Sequence, residues 1–127
     1  MRKFKVIIAG SRDFSNYKLL KEKCDFYLQN KKNIEVVSGK ALGADFLGEI
    51  YAKNNKYSLK EFPAKWGQYG KSAGYIRNRK MAIYADVLIA FWDGQSKGTK
   101  HMIDLAKKYK LKVKVVLFKK KLKLNEK

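Results

Sequence analysis

The segment Phe91-Trp92-Asp93-Gly94-Gln95-Ser96-Lys97-Gly98-Thr99 sets glycines, hydroxyls and a carboxylate between two apolar patterns. Before it lies the run Ala85 to Ala90, which reads as a buried strand; after it, Met102, Leu105, Ala106 and Tyr109 recur as one face of a helix. A strand that passes through such a loop into a helix can hold phosphate. It offers free backbone N–H groups, small hydroxyls and the positive end of a helix dipole. Gly94, Ser96, Gly98 and Thr99 are the candidate phosphate cradle, with Thr99 at the helix start, where its hydroxyl caps the helix or meets the ligand. Asp93, ending the strand, can orient a ribose or base. The same residues also suit an ordinary turn, with Asp93 bonded to its own backbone.

Two further loops carry related chemistry. Gly10-Ser11-Arg12 follows the first apolar run, and the planar Arg12 guanidinium suits bidentate phosphate recognition. Ser38-Gly39 leads through Lys40 and Gly43 to Asp45, either a second phosphate or sugar cradle or a tight strand-to-helix turn. Arg77 and Asn78 lie on a helix entered through Ala73-Gly74, with Arg77 and Met81 sharing a face at i, i+4 spacing. Trp66 and Tyr69 can stack on a base or pin their own loop. His101, the single histidine, is an acid–base candidate alongside Asp93 and Glu49, or a structural hydrogen-bonding residue.

The elements that must position these residues alternate. Strands are expected at Lys5 to Ala9, Ile34 to Val37, Tyr57 to Phe62, Asp86 to Phe91 and Leu111 to Phe118. Helices are expected over about Asn16 to Asn30, from Ala44 past Tyr51, from a Ser72 cap to about Tyr84, and from the Thr99 region to Tyr109. Ala64 to Lys71 reads as the longest irregular stretch. Such alternation predicts an α/β fold: a Rossmann-like three-layer sandwich, with a mostly parallel five-stranded sheet and helices on both faces. Right-handed crossovers put all three glycine loops on the carboxyl edge of that sheet. Residues 1–118 are expected to form a single domain and 119–127 a basic tail.

Other classes are excluded. The pattern G-x-G-x-x-G is absent after the first strand, and Gly70-Lys71-Ser72 lacks the earlier P-loop glycine, whose place Lys65 holds. A P-loop NTPase and a standard NAD-dependent dehydrogenase therefore do not fit. Neither a metal nor a resident cofactor is expected. No run of about eighteen apolar residues marks a membrane span. With one cysteine, Cys24, on an apolar helix face, residence in the cytoplasm is the default expectation. The net charge of +19 points to a polyanion, and nucleic acid is a candidate partner through the basic surface. Lysine-rich codon usage raises the charge too, but acidic residues number only 11. Association into a homo-oligomer is left open.

Together these residues resemble the SLOG superfamily, in particular its small YspA-like branch. The matching pieces are Ile8-Ala9-Gly10-Ser11-Arg12-Asp13-Phe14, Ser38-Gly39 through Gly43-Ala44-Asp45, Gly48-Glu49, Tyr51-Ala52 and Phe62-Pro63-Ala64 with Trp66. They continue through Gly70-Lys71, Ala73-Gly74, Arg77-Asn78, Met81-Ala82, Ala85-Asp86 and Phe91 to Thr99 with His101-Met102-Ile103. The resemblance implies a Rossmann-like fold with a pocket for nucleotides or nucleotide-derived molecules. Its distant relatives include the Lonely Guy phosphoribohydrolases and the single-stranded-DNA-binding DprA/Smf proteins. Members are proposed to sense or process nucleotide signals in bacterial and phage conflict, which implies for this chain a sensor or sequestering role. Lonely Guy enzymes place a catalytic glutamate soon after their Gly-Thr pair, whereas Gly98-Thr99 is followed here by Lys100, His101 and Met102. The branch's usual second glycine and arginine are replaced by Lys40 and Leu42. The resemblance therefore implies ligand binding first, with N-glycosidic hydrolysis and DprA-like nucleic-acid binding as alternatives.

Overall fold

The computed structural model describes residues 2–119. Apart from Lys119, the basic tail lies outside the described residues. Five strands form one sheet in the order β3-β2-β1-β4-β5: β1 Phe4–Gly10, β2 Ile34–Ser38, β3 Ser58–Glu61, β4 Val87–Trp92 and β5 Lys112–Leu117. Every pairing is parallel, with Val6 beside Val36 on one side and beside Val87 on the other. The sheet is thus wholly parallel, where the sequence reading allowed for an exception. Central β1 and β4 read KVIIA and VLIAF because both their faces are covered, the usual pattern of a buried parallel strand. Edge strand β3 reads SLKE and is exposed throughout.

Helices α1 (Tyr17–Leu28) and α2 (Ala44–Asn54) cover one face. Their side chains Leu20, Cys24, Leu28, Ala44, Tyr51 and Ala52 pack with Val6, Ile8, Val36, Ile89 and Phe91. Asn16 starts α1 by accepting from the Leu19 N–H at 3.0 Å, just as an N-cap should. On the opposite face, α4 (Ala73–Tyr84) and α5 (Lys97–Lys108) bring Met81, Ala82, Met102, Ile103 and Ala106 onto Ile7, Ala9, Val37, Leu88 and Ala90. Among the described residues no helix is long and apolar enough to cross a membrane.

Two local expectations are corrected. The stretch Ala64 to Lys71 is not irregular: it holds a one-turn helix, α3 (Trp66–Tyr69), followed by a 3-10 turn, Gly70–Ser72. Short helices carry too little apolar periodicity to register in a sequence pattern. Ser72 does precede α4, but its hydroxyl makes no capping bond, because the 3-10 turn runs directly into the helix.

The connections leave β1 toward β2 on one side and return to β4 on the other. The carboxyl ends of β1 and β4 are therefore the switch point where a crevice opens. Gly10 lies opposite Phe91 there, and a Cβ on Gly10 would sit 2.1 Å from the Phe91 carbonyl oxygen.

Candidate ligand-binding site

The three glycine loops do converge at this edge, and some of their residues serve to tie the loops together. Ser11 is buried, donates its N–H to the Phe91 carbonyl (2.9 Å), and its carbonyl accepts from Phe14 (3.2 Å) and Ala44 (3.3 Å). Its hydroxyl oxygen accepts from the Asp93 N–H at 3.2 Å. Gly43 has φ +75° and presses on the first loop, so that a Cβ would approach the Ser11 carbonyl oxygen to 2.3 Å. Ser38, fully buried, donates its hydroxyl to Glu49 at 2.7 Å and accepts from the Lys40 N–H at 3.1 Å. Asp93 Oδ1 accepts from the N–H groups of Gln95 (2.9 Å) and Ser96 (2.8 Å), closing the turn around Gly94.

A cavity of about 280 Å³ lies beside this scaffold. Its base is Ala9 and Gly10 at the end of β1, with Ala41 and Asp45 from the β2–α2 connection. Helix α4 supplies Gly74, Tyr75, Arg77, Asn78 and Met81, and the start of α5 supplies Ser96, Gly98, Thr99 and Met102. Arg12, Trp66 and Lys71 complete the lining, all three exposed.

Of the residues expected from the sequence, Gly10, Arg12, Asp45, Arg77, Asn78, Ser96, Gly98 and Thr99 line this cavity. Ser11, Ser38, Gly39, Gly43, Asp93 and Gly94 do not line it. The acid–base candidates Glu49, Asp93 and His101 do not line it either. Glu49 instead pairs with Lys40 at 3.1 Å. His101 Nδ1 lies 3.1 Å from the Asn78 amide nitrogen, and its ring meets Tyr75 edge-on at 4.4 Å. Burial lowers the imidazole's affinity for a proton. The first turn of α5 is capped by Ser96, whose hydroxyl oxygen accepts from the Thr99 N–H at 3.4 Å. Thr99 is therefore inside the first turn and buried, rather than the helix start expected of it.

The electrostatics centre on Arg77 and Asp45, which flank Gly39. A Cβ on Gly39 would lie 2.8 Å from both Arg77 Nη1 and Asp45 Oδ2. Arg77 donates through Nη1 to the Gly39 carbonyl and through Nε to Asn78 Oδ1 at 2.9 Å. Burial, opposed by Asp45 and reinforced by nearby Arg12, lowers the guanidinium below its ordinary value. Burial pushes the Asp45 carboxyl up to about 6, against the pull of Arg77 and of the Ala41 and Gly10 N–H groups. Arg12, Lys71 and Arg77 thus face a single carboxyl in the cavity lining, an excess of positive charge over an open space. At the α5 end, a Cβ on Gly98 would meet no atom within 4 Å, so the backbone of the first turn is open to close approach. Among the described residues no group of three or more His, Cys, Asp or Glu side chains could hold a metal.

Lys71 and Tyr75 were not expected. Lys71 stands in the sequence as the end of an incomplete P-loop and in the Gly70-Lys71 piece of the resemblance; Tyr75 follows Ala73-Gly74 and lies three residues before Asn78 on α4, the spacing that puts it on the same face.

A Rossmann-like α/β domain with a cation-lined cavity at the carboxyl edge of its sheet is the class that fold and site define. Residues 4–69, about half of the chain, match the family described as the YspA, cpYpsA-related SLOG family. The chain belongs to that family. It is 32% identical over 111 residues to the Gene 61 protein of Mycobacterium phage D29, an alignment spanning 82% of this chain and 89% of that protein. The fold is shared with DNA processing protein A (DprA) from Streptococcus pneumoniae, at TM-score 0.72 and 22% identity over 89% of this chain. The chain spans only 50% of that pneumococcal protein. DprA from Helicobacter pylori, whose structure was described for its single-stranded DNA binding mode, superposes at TM-score 0.63 with 24% identity. That superposition covers 97% of this chain and 67% of the Helicobacter protein.

Proposed function

We propose that this chain, as one domain over residues 1–118, binds a nucleotide or nucleotide-derived anion in the carboxyl-edge cavity. The observation that carries this reading is the half-buried Arg77, anchored on Gly39 and Asn78 and facing the cavity beside the open first turn of α5. Arg77 and the N–H groups of that turn hold phosphate, Arg12 and Lys71 close over it from the rim, and Trp66 or Tyr75 covers the base. A lining rich in cations, with Asp45 as its carboxyl, supports a role as sensor or sequestering protein for such an anion.

A second reading, a nucleotide-processing hydrolase, rests on Asp45. It is the carboxyl in the cavity lining, and with a pKa of about 6 it exchanges a proton near neutral pH.

One experiment separates them. Purified protein is examined by native mass spectrometry for a retained nucleotide, then titrated calorimetrically with a nucleotide panel and the ligands recovered. Intact ligand at one per chain supports binding; released base and sugar phosphate support hydrolysis. Arg77→Ala should weaken the bound nucleotide about tenfold or more, the scale of a lost charge-assisted hydrogen bond. Unchanged affinity in a folded Arg77→Ala protein, or no nucleotide bound at all, removes the proposal.

A further inference from the structure

A second concavity, about 570 Å³, lies at the opposite, amino-terminal edge of the sheet. It runs between the end of α1 and the first half of β5. Phe26, Tyr27 and Leu28 come from α1, Lys112 and Lys114 from β5, and Phe4 and Val87 from the starts of β1 and β4. Lys31 and Lys110, from the turns that follow α1 and α5, add further charge, as does Arg2. The acid in this lining is Asp86, which is held by Arg2 at 2.5 Å.

Cations and rings interleave here. Lys31 Nζ lies 5.1 Å from the Phe4 ring centre and Lys114 Nζ lies 5.6 Å from that of Tyr27. Phe26 packs edge-on to Tyr27 at 5.5 Å and remains 65% exposed. An aromatic ring left this open, with ammonium groups on either side of the groove, matches the two things a single nucleic-acid strand presents: base faces that stack and phosphates at regular intervals. An acidic peptide would satisfy the lysines but gives the rings nothing to stack on. A duplex would keep its bases occupied with one another.

We propose that this groove between α1 and β5 binds single-stranded nucleic acid, with Phe26 as the stacking platform and Lys31, Lys110, Lys112 and Lys114 on the phosphates. The ligand of the carboxyl-edge cavity plays no part in it. The two sites are separated by the length of the central strands, roughly 20 Å at about 3.3 Å per residue.

The test is binding of a dye-labelled oligothymidylate to the whole chain, followed by fluorescence anisotropy over a salt series. Phe26→Ala, at a position outside the core, should keep the far-ultraviolet circular dichroism of the parent and bind about tenfold more weakly. Lys112→Ala and Lys114→Ala should each lower the slope of log affinity against log salt by about 0.7, the share of one phosphate on a single strand. Amide NMR shifts on adding the oligonucleotide should fall on residues 26–31 and 110–114. Three results would overturn the proposal: unchanged affinity in Phe26→Ala, shifts confined to the loops at Gly10 to Arg12 and Ser96 to Thr99, or duplex bound as tightly as single strand.

Discussion

Asp45 is a carboxyl kept out of water at the start of α2, and its altered acidity couples the fold to pH. In the unfolded chain it titrates near 3.8, and in the folded protein at about 6. The folded state therefore holds its proton more tightly. The stability this contributes is complete below pH about 3.8 and is lost as pH rises through about 6, a change of about 3 kcal/mol. Thermal unfolding across that window should show the folded state losing ground as pH rises, beyond the contribution of the other carboxyls. Asp45→Asn should flatten this part of the profile and raise the melting temperature at neutral pH. An unaltered profile would mean the carboxyl is better solvated than its burial indicates. Asp93 is the contrasting case. Its position suits either a contact to sugar or base or a bond to its own turn, and in the structure it holds the N–H groups of Gln95 and Ser96. From sequence alone the two roles are indistinguishable, since both want a short carboxylate where a strand becomes a loop.

At the scale of elements, the β1–α1 and β2–α2 loops behave as one unit because Gly43 lets them touch. Gly43→Ala would place a methyl 2.3 Å from the Ser11 carbonyl and force an alanine to φ +75°. Denaturant unfolding should show a loss of about 3 kcal/mol or more, with the ligand cavity disturbed as well. An effect below 1 kcal/mol would mean the loops separate easily. The elements themselves were legible: apolar runs marked the strands, Tyr57 to Phe62 more weakly than the rest, helical spacing marked α1, α2 and α5, and Ser72 marked the approach to α4. The alternation implies a mostly parallel sheet with helices on both faces, because such connections cross over right-handed, while the strand order is set by packing that no local pattern carries. What stayed hidden depends on side-chain direction. Lys71 joins the cavity from the 3-10 turn after α3, and nothing in Trp66-Gly67-Gln68-Tyr69 announces a single helical turn. Likewise Ser38 and Gly39 were rightly placed at the edge, yet one is consumed by Glu49 and the other by Arg77.

For the whole molecule, a formal charge of +19 on 127 residues is a standing self-repulsion. The exposed pairs of Lys21 with Asp25, within α1, and of Lys100 with Asp104, within α5, offset little of it. Added salt should therefore raise the melting temperature, as screening shortens the reach of the lysines to about 3 Å at 1 M. A calorimetric series from low to near-molar sodium chloride checks this, and a melting temperature that falls with salt would contradict it. The sign of the charge was plain from composition, but its placement was not. Phe26 and Lys112 lie far apart in the chain and line one groove because the end of α1 and the start of β5 come to the same edge of the sheet.

Among the described residues strand β5 ends the sheet and pairs with β4 alone, and Lys112 and Lys114 line the groove it forms with α1. Two copies meeting there edge to edge would set ammonium groups against one another along the seam. The strand that finishes the sheet thereby also discourages its continuation into a neighbouring molecule at this edge.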